Sequence, residues 1–123
     1  MSGEDVHFFF TMRDQIKLYH WQTHSFARHK ATDDVIKSLD ENIDEYVETY
    51  MGKYGRMKVG PRTSKVHIKN MTETGAVSFV RNCIDYLKDT LTRKLKPSDT
   101  DLFNLRDEML GDLNKLLYLF TLK

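Results

Sequence analysis

Hydrophobic and polar residues alternate along this chain with a helical period. In four separate stretches, apolar residues recur at three- and four-residue steps, which is the spacing of one face of an α-helix. We find no stretch that reads convincingly as a strand. The pattern therefore predicts an all-α protein.

Two long helices are expected in the first half of the chain. The first covers about residues 4–23. The second begins after Ser25, a good N-cap, and ends at Gly55, a natural helix stop. Its apolar stripe comprises Ile36, Leu39, Ile43, Tyr46, Val47, Tyr50 and Tyr54.

Two further helices are expected in the second half. The third follows Thr72 or Thr74 and closes near Pro97, and Ser98 or Thr100 would cap the fourth. The segment 57–72, between the second and third helices, has no clear period, and a connection of this length should cross the end or flank of a bundle. The sequence predicts one domain, residues 1–123, folded as a four-helix bundle with a longer crossover connection between helices 2 and 3.

Composition supports a soluble, cytoplasmic protein. The chain has 123 residues, 40% of them apolar, which is enough for a core without staples. The one cysteine, Cys83, excludes an internal disulfide and falls on the third apolar stripe, where we expect a buried thiol. No apolar run approaches a membrane span, and the start MSGEDVHFFF lacks the features of a signal peptide.

The net charge is only +1, but the basic residues are unevenly distributed. One segment carries cations and no acid, and its cations are Lys53, Arg56, Lys58, Arg62, Lys65 and Lys69. Such a segment could contact the phosphates of DNA, although it lacks a recognition motif and a clear stacking platform. The alternatives are a solvated loop or pairing with acids of a neighbouring subunit.

Histidines and carboxylates concentrate on the first two predicted helices. Asp44 and Glu48, four residues apart, stack on one side of helix 2 beside its apolar stripe. His29 and Asp33 have the same spacing at the start of that helix, and His20 lies near the end of helix 1. Imidazoles with carboxylates suit a borderline cation such as Fe²⁺ or Zn²⁺. An ordinary solvated polar face is the alternative.

This set of residues resembles the motif of the Dps-like (miniature) ferritins, a branch of the ferritin-like superfamily. The matching elements are His20-Trp21, then His29 with Asp33, then Asp44 fifteen residues after His29 and Glu48 four residues later. The closing stretch DLFNLRDEMLGDLNKLLYLF also resembles the last helix of that family. As a topology the resemblance covers most of the chain, and as a motif it covers residues 19–54.

The resemblance implies a metal site between two subunits. One subunit would supply His20, His29 and Asp33, and its mate would supply Asp44 and Glu48. Iron would bind as Fe²⁺ and be oxidised by hydrogen peroxide or dioxygen, a ferroxidase-type activity that protects against oxidative damage and can lead to iron storage. The expected assembly is a homo-oligomer, at least a dimer and at most the family's dodecamer, with no membrane partner.

Three departures from the family leave alternatives open. The chain is short and its connection between helices 2 and 3 differs from the family's, which leaves open whether the twelve-subunit shell forms. The interval from His20 to His29 is shorter than usual, so His24 could substitute for one of the histidines. No lysine-rich tail precedes the first helix, and many relatives use that tail on DNA. The competing hypothesis is a non-catalytic ferritin-like helical module that binds a protein or nucleic-acid partner.

Overall fold

The computed structural model describes residues 2–123, and this part of the chain contains helices and no strand. The four main helices are α1 (Gly3–Gln22), α2 (Phe26–Tyr54), α3 (Glu73–Asp85) and α4 (Thr100–Leu119). The all-α prediction with four helices is confirmed. No helix within residues 2–123 combines the length and the apolar character needed to cross a membrane.

Local side-chain chemistry sets the predicted ends of α2 and the start of α3. The Ser25 hydroxyl accepts a hydrogen bond from the backbone N–H of Arg28 at 3.2 Å, which makes Ser25 the N-cap of α2. Thr72 caps α3 by accepting from the N–H of Gly75 at 3.0 Å. Gly55 ends α2 with a φ of 91°, a conformation that favours glycine.

The start of α4 differs from the prediction. Neither Ser98 nor Thr100 is its N-cap, because Asp99 occupies that position and the helix begins at Thr100. The Asp99 carboxylate does not cap its own helix but accepts from the N–H of Lys96 at 2.8 Å. Asp99 therefore fixes the turn before α4, and other contacts of this carboxylate tie that turn to α2.

The region predicted as one continuous third helix is also divided. After α3 the chain passes through a π-helical turn, Tyr86–Thr90, and a 3₁₀ turn, Thr92–Lys94. Leu87 and Leu91 nevertheless remain buried, so the apolar stripe continues through both turns.

Contacts between the helices define the order of the bundle. Helix α1 packs on α2 and α3, and α4 packs on the same two helices. Asp5, at the start of α1, accepts from Tyr86 beyond the end of α3, whereas Tyr19, near the end of α1, donates to Glu73 at the start of α3. Helix α3 is therefore antiparallel to α1. Helix α2 is also antiparallel to α1, so α2 and α3 run parallel to each other.

Apolar side chains from all four helices form one core. Its largest fully buried members are Tyr19, Tyr46, Phe9, Met12, Ile16, Leu39, Leu87, Leu91, Leu102, Met109, Leu113 and Leu116. Phe9 and Met12 lie in this core, while the adjacent Phe10 is 56% exposed. Cys83 is buried as expected, and burial raises the pKa of its thiol to about 12.

The connection from α2 to α3 returns along the outside of α1. At Gly3 an added Cβ would lie 2.7 Å from the carbonyl oxygen of Lys58, so only glycine permits this close approach. Further along, residues 65–71, here termed the strap, are tied to α1 by hydrogen bonds. The predicted long connection between helices 2 and 3 is present, and it follows one defined helix.

Candidate metal site

The turn between α1 and α2 brings two predicted ligands together. His20 lies near the end of α1 and His29 in the first turn of α2, and their rings stack with centroids 3.9 Å apart and planes 16° apart. His20 is buried and His29 is exposed, so the pair lies at the edge of the bundle.

Hydrogen bonds fix which nitrogen of each ring carries the proton. The Nδ1 of His29 lies 2.8 Å from the carbonyl oxygen of His20, and a carbonyl can only accept, so Nδ1 is the protonated nitrogen. The Nδ1 of His20 lies 2.9 Å from the hydroxyl of Thr32, which donates its own proton to a carbonyl of the preceding turn. His20 therefore also donates through Nδ1. In the neutral form, both Nε2 atoms keep a lone pair for a metal ion.

The environment of His20 favours that neutral form. Burial lowers the pKa of the imidazole, because desolvation disfavours its charged state. Its Nε2 has no hydrogen-bond partner within residues 2–123, and it is not among the buried unpaired atoms, so it reaches the molecular surface. A cation could approach this nitrogen from solvent.

Asp33 lies one turn along α2 from His29 but is engaged elsewhere. Its carboxylate lies 3.3 Å from the ammonium of Lys37, and this contact is the main reason that the pKa of Asp33 is lowered. The pair is largely exposed, so solvent screens it and the contact is weak. Asp33 is thus available as a ligand if a cation replaces the lysine.

Asp44 and Glu48 occupy the other half of α2. Both are exposed, and neither forms an ion pair within the described residues 2–123. Asp44 borders a groove of about 450 Å³ between α1 and α2. The groove is lined by Val6, Phe9, Phe10, Arg13, Asp14, Asp40, Ile43, Asp44, Val47 and Met57.

A single copy of the chain does not bring the five predicted ligands into one site. His29 and Asp44 are fifteen residues apart on one helix, which corresponds to about 22 Å along its axis. Within residues 2–123, no group of three or more His, Cys, Asp or Glu side chains is placed to hold a metal ion. The structure instead presents two half-sets of ligands, one towards each end of α2.

Two neighbours of the predicted ligands were not identified from the sequence. Thr32 orients His20, and Lys37 pairs with Asp33. Arg13 of α1 pairs with Asp40, one turn before Asp44, at 3.0 Å. The polar Thr32 among buried residues of α2 was the available signal for the first of these. The alternative ligand His24 lies in the α1–α2 turn, where it lines a cavity with Arg28, Glu73 and Phe120.

One cation of the predicted basic segment is already paired within the molecule. Lys53 lies in the last turn of α2, and its ammonium is 2.7 Å from a carboxylate oxygen of both Asp99 and Asp101, so it is engaged within the molecule. The remaining cations form no ion pair within the described part of the chain, and all are exposed. They are Arg56, Lys58, Arg62, Lys65 and Lys69.

Comparison with known proteins places the chain in a family. Residues 20–120 match the family of unknown function DUF5856, so the chain belongs to it. The chain is also similar to an uncharacterised 14.6 kDa protein from the mobD–ri intergenic region of Enterobacteria phage T4. The two are 25% identical over 104 residues, which cover 85% of this chain and 75% of the phage protein. No solved structure matches.

Proposed function

We propose that this member of the DUF5856 family is a Dps-like, ferritin-fold protein that binds Fe²⁺ as a substrate and oxidises it with hydrogen peroxide or dioxygen. The observation that carries this proposal is the pair of neighbouring histidines, His20 and His29, whose hydrogen bonds leave the lone pair of each Nε2 unengaged. Because the rings stack, these lone pairs lie in separate, nearly parallel planes, so each nitrogen would bind its own ion or one ring would rotate on binding. Metal-binding histidines are commonly held in this way, with the second nitrogen donating to a protein oxygen.

Two copies of the chain are needed to complete the site. Asp33, Asp44 and Glu48 lie within about 100° of His29 around the axis of α2, so all four residues share one side of the helix. A twofold axis near the middle of α2 would set the histidine end of one copy against the carboxylate end of the other. Each dimer would then contain two equivalent sites.

The surface around α1 and α2 suits such a dimer. Phe10, Trp21 and Phe26 are 56%, 67% and 78% exposed, and an apolar surface of this kind favours association. Trp21 follows His20, and Asp44 borders the groove. An operation that brings His20 of one copy to Asp44 of the other therefore also brings Trp21 towards the apolar groove.

The ligand set suits iron oxidation. Imidazole and carboxylate together bind Fe²⁺, and the carboxylates of Asp44 and Glu48 would stabilise the higher charge of Fe³⁺. With peroxide as the oxidant, two Fe²⁺ ions give up one electron each, and these two electrons with two protons convert one peroxide molecule into two waters. Consuming both reagents prevents the formation of hydroxyl radical.

Anaerobic titration calorimetry with Fe²⁺, on protein of known oligomeric mass, tests the proposal. A dimer with two shared sites has one site per chain. We therefore expect saturation at roughly one or two Fe²⁺ per chain. Glu48→Gln should slow Fe²⁺ oxidation at least about tenfold, because it removes a charged ligand. Glu108→Gln is the matched control, since Glu108 is exposed on α4, away from the proposed ligands of α1 and α2, and should give the parent rate.

Two results would contradict the proposal. They are the absence of binding at micromolar Fe²⁺ and equal oxidation rates for Glu48→Gln and the parent protein. His24→Ala tests the alternative ligand. A large loss of Fe²⁺ affinity in this variant would assign His24 to the site in place of His20 or His29. A helical module with no metal function would tolerate all of these changes.

A further inference from the structure

Three side chains hold the strap, residues 65–71, against α1. The amide of Gln15, which is 2% exposed, donates to the carbonyl of Lys69 at 2.6 Å and accepts from its N–H at 3.0 Å. Nε2 of His7 lies 2.8 Å from the carbonyl of Lys65, and Gln22 accepts from the N–H of Met71 at 3.4 Å.

The strap is an extended chain. His7 and Gln22 are separated by about 22 Å along α1. The strap residues that they contact, Lys65 and Met71, can be at most about 20 Å apart even as a strand. The backbone between them must therefore be nearly fully extended, and it runs parallel to α1.

One edge of this extended chain faces outward without partners. In a strand, the N–H and C=O of one residue point to the same side, and those of the next residue point to the other side. Both groups of Lys69 face Gln15, so those of Val66, Ile68 and Asn70 face away from α1. Within residues 2–123 no hydrogen bond engages the backbone of these three residues. The strap thus presents an open strand edge.

The side chains of the strap give this edge a chemical character. Lys65, His67 and Lys69 alternate with Val66 and Ile68, so one face is basic and the other is apolar. Ile68 is 47% exposed, and neither Lys65 nor Lys69 forms an ion pair within residues 2–123.

Two other occupants of the edge fit less well. A second copy paired antiparallel about His67 would place Lys65 opposite Lys69, and like charges in that position are destabilising. Paired about Ile68, it would place Lys69 opposite His67, and in neither register does it offer the acidic side chains that complement the basic face. A single-stranded nucleic acid would need a row of aromatic side chains on which successive bases stack, but no Phe, Tyr or Trp occurs between Tyr54 and Phe79, and His67 is a single ring.

We propose that the outer edge of the strap binds an extended acidic peptide segment of a partner protein by strand addition. The partner segment pairs its backbone with Val66, Ile68 and Asn70 and alternates acidic with apolar side chains. Main-chain hydrogen bonds supply affinity in this mode, and the alternating side chains supply specificity. This interaction is independent of the proposed iron site.

Fluorescence anisotropy of the full chain with a labelled peptide of alternating glutamate and valine tests the proposal. We expect saturable binding to the parent. Ile68→Pro removes one outward N–H and is compatible with extended backbone, whereas Ile68→Ala removes the same side chain but keeps the N–H. Binding to Ile68→Pro should be about tenfold weaker than to Ile68→Ala, the loss expected for one hydrogen bond.

Two methylated peptides separate strand pairing from simple charge attraction. Both have the sequence of the first peptide, and each carries N-methyl groups on alternate peptide nitrogens, which removes the hydrogen-bond donors along one of its two edges. One of the two methylated peptides should fail to bind, because its methylated edge is the one that pairs with the strap. Equal binding of all three peptides would overturn the proposal, as would equal affinities of Ile68→Pro and Ile68→Ala. Binding of labelled oligothymidine without binding of the peptide would also overturn it and would assign the basic segment to nucleic acid.

Discussion

At the scale of single residues, the chemistry of the candidate site depends on a hydroxyl that would not itself touch a metal. Thr32 is fully buried, and its oxygen accepts a hydrogen bond from Nδ1–H of His20 while its hydroxyl donates to the carbonyl of Arg28 at 2.8 Å. This chain of two hydrogen bonds selects the tautomer of His20. A side chain inside α2 thus orients a proposed ligand on α1.

Thr32→Val tests this orienting role. The valine keeps the shape of the side chain but cannot accept from His20, so the imidazole loses its orientation and its fixed tautomer. We expect the affinity for Fe²⁺ to fall about 10- to 100-fold, the usual effect of removing such a partner. Stability should fall by about 1–3 kcal/mol, because a buried donor is left without an acceptor.

Thr32→Ser provides the control, since it retains the hydroxyl. Calorimetry with Fe²⁺ and urea unfolding should both place Thr32→Ser closer to the parent than to Thr32→Val. If Thr32→Val binds Fe²⁺ as tightly as the parent, His20 is not oriented by Thr32 or is not a ligand.

The residues of the candidate site were only partly predictable from the sequence. Periodicity was enough to place Asp44 and Glu48 on one side of α2, because both lie on a single regular helix. The contact of His20 with Thr32 depends on the angle at which the turn between α1 and α2 brings the two helices together. That angle cannot be predicted from the spacing of residues. The pairing of Arg13 with Asp40 is likewise a contact between two helices.

At the scale of helices, the Asp99 carboxylate joins the end of α2 to the start of α4. It is 1% exposed and accepts from the hydroxyl of Tyr54 at 2.6 Å, besides its contacts with Lys53 and the N–H of Lys96. The ammonium of Lys53, then Tyr54 and then the Lys96 N–H hold the pKa of Asp99 well below its ordinary value of 3.8.

This shift predicts a dependence of stability on pH. A carboxylate whose pKa is lower in the folded state stabilises the fold above its ordinary pKa, and that contribution disappears as the pH falls through the folded value. Urea unfolding of the parent should therefore show stability lost progressively below about pH 5. Asp99→Asn should be less stable than the parent at pH 7, and the difference should shrink towards pH 2.

Asp89→Asn is the matched control for this measurement. Asp89 is exposed, and its side chain forms no ion pair within residues 2–123. This variant should follow the parent at every pH. A difference between Asp99→Asn and the parent that stays constant from pH 7 to pH 2 would show that the charge of Asp99 is not what stabilises the junction.

In the third helical region, periodicity predicts which side chains are buried but not the type of helix that the backbone forms. Its apolar stripe predicted one helix, and the stripe is buried, yet the backbone widens into a π turn at Tyr86–Thr90. Tyr86 donates to the buried Asp5 at 2.6 Å, and its ring stacks on Phe8 at 3.9 Å. These contacts to α1 are distant in sequence, so the local pattern cannot report them.

At the scale of the whole molecule, the long connection was sufficient to indicate a crossover, because parallel helices cannot be joined by a tight turn. Its path was not predictable. That path depends on Gln15, a polar side chain within a helix whose amide bonds to the backbone of Lys69. Nothing in the local sequence relates these two residues.

The proposed dimer makes a prediction about mixtures of variants. His29→Ala and Glu48→Gln should each oxidise Fe²⁺ at no more than about a tenth of the parent rate. If the two chains are unfolded together and refolded, half of the dimers are mixed, and each mixed dimer contains one intact site. Stopped-flow oxidation should therefore recover about a quarter of the parent activity.

Two controls accompany this experiment. Each variant refolded alone should keep its low rate, and the mass of the refolded protein should match that of the parent assembly. Failure of the mixture to recover activity, with dimers present, would mean that His29 and Glu48 do not act in a shared site.

The parallel arrangement of α2 and α3 also determines where the chain can change in length. The segment 55–72 could reach about 60 Å if fully extended at roughly 3.3 Å per residue. The bundle that it must traverse is about as long as α1, or roughly 30 Å.

The strap has no spare length, because its backbone is extended between fixed contacts. The extra chain length lies in residues before the strap, where the N–H groups of Thr63 and Ser64 both donate to the carbonyl of Gly60 in a tight turn. Insertions and deletions are therefore accommodated around residues 60–64, whereas removal of one residue from the strap would shift every later side chain to the opposite face.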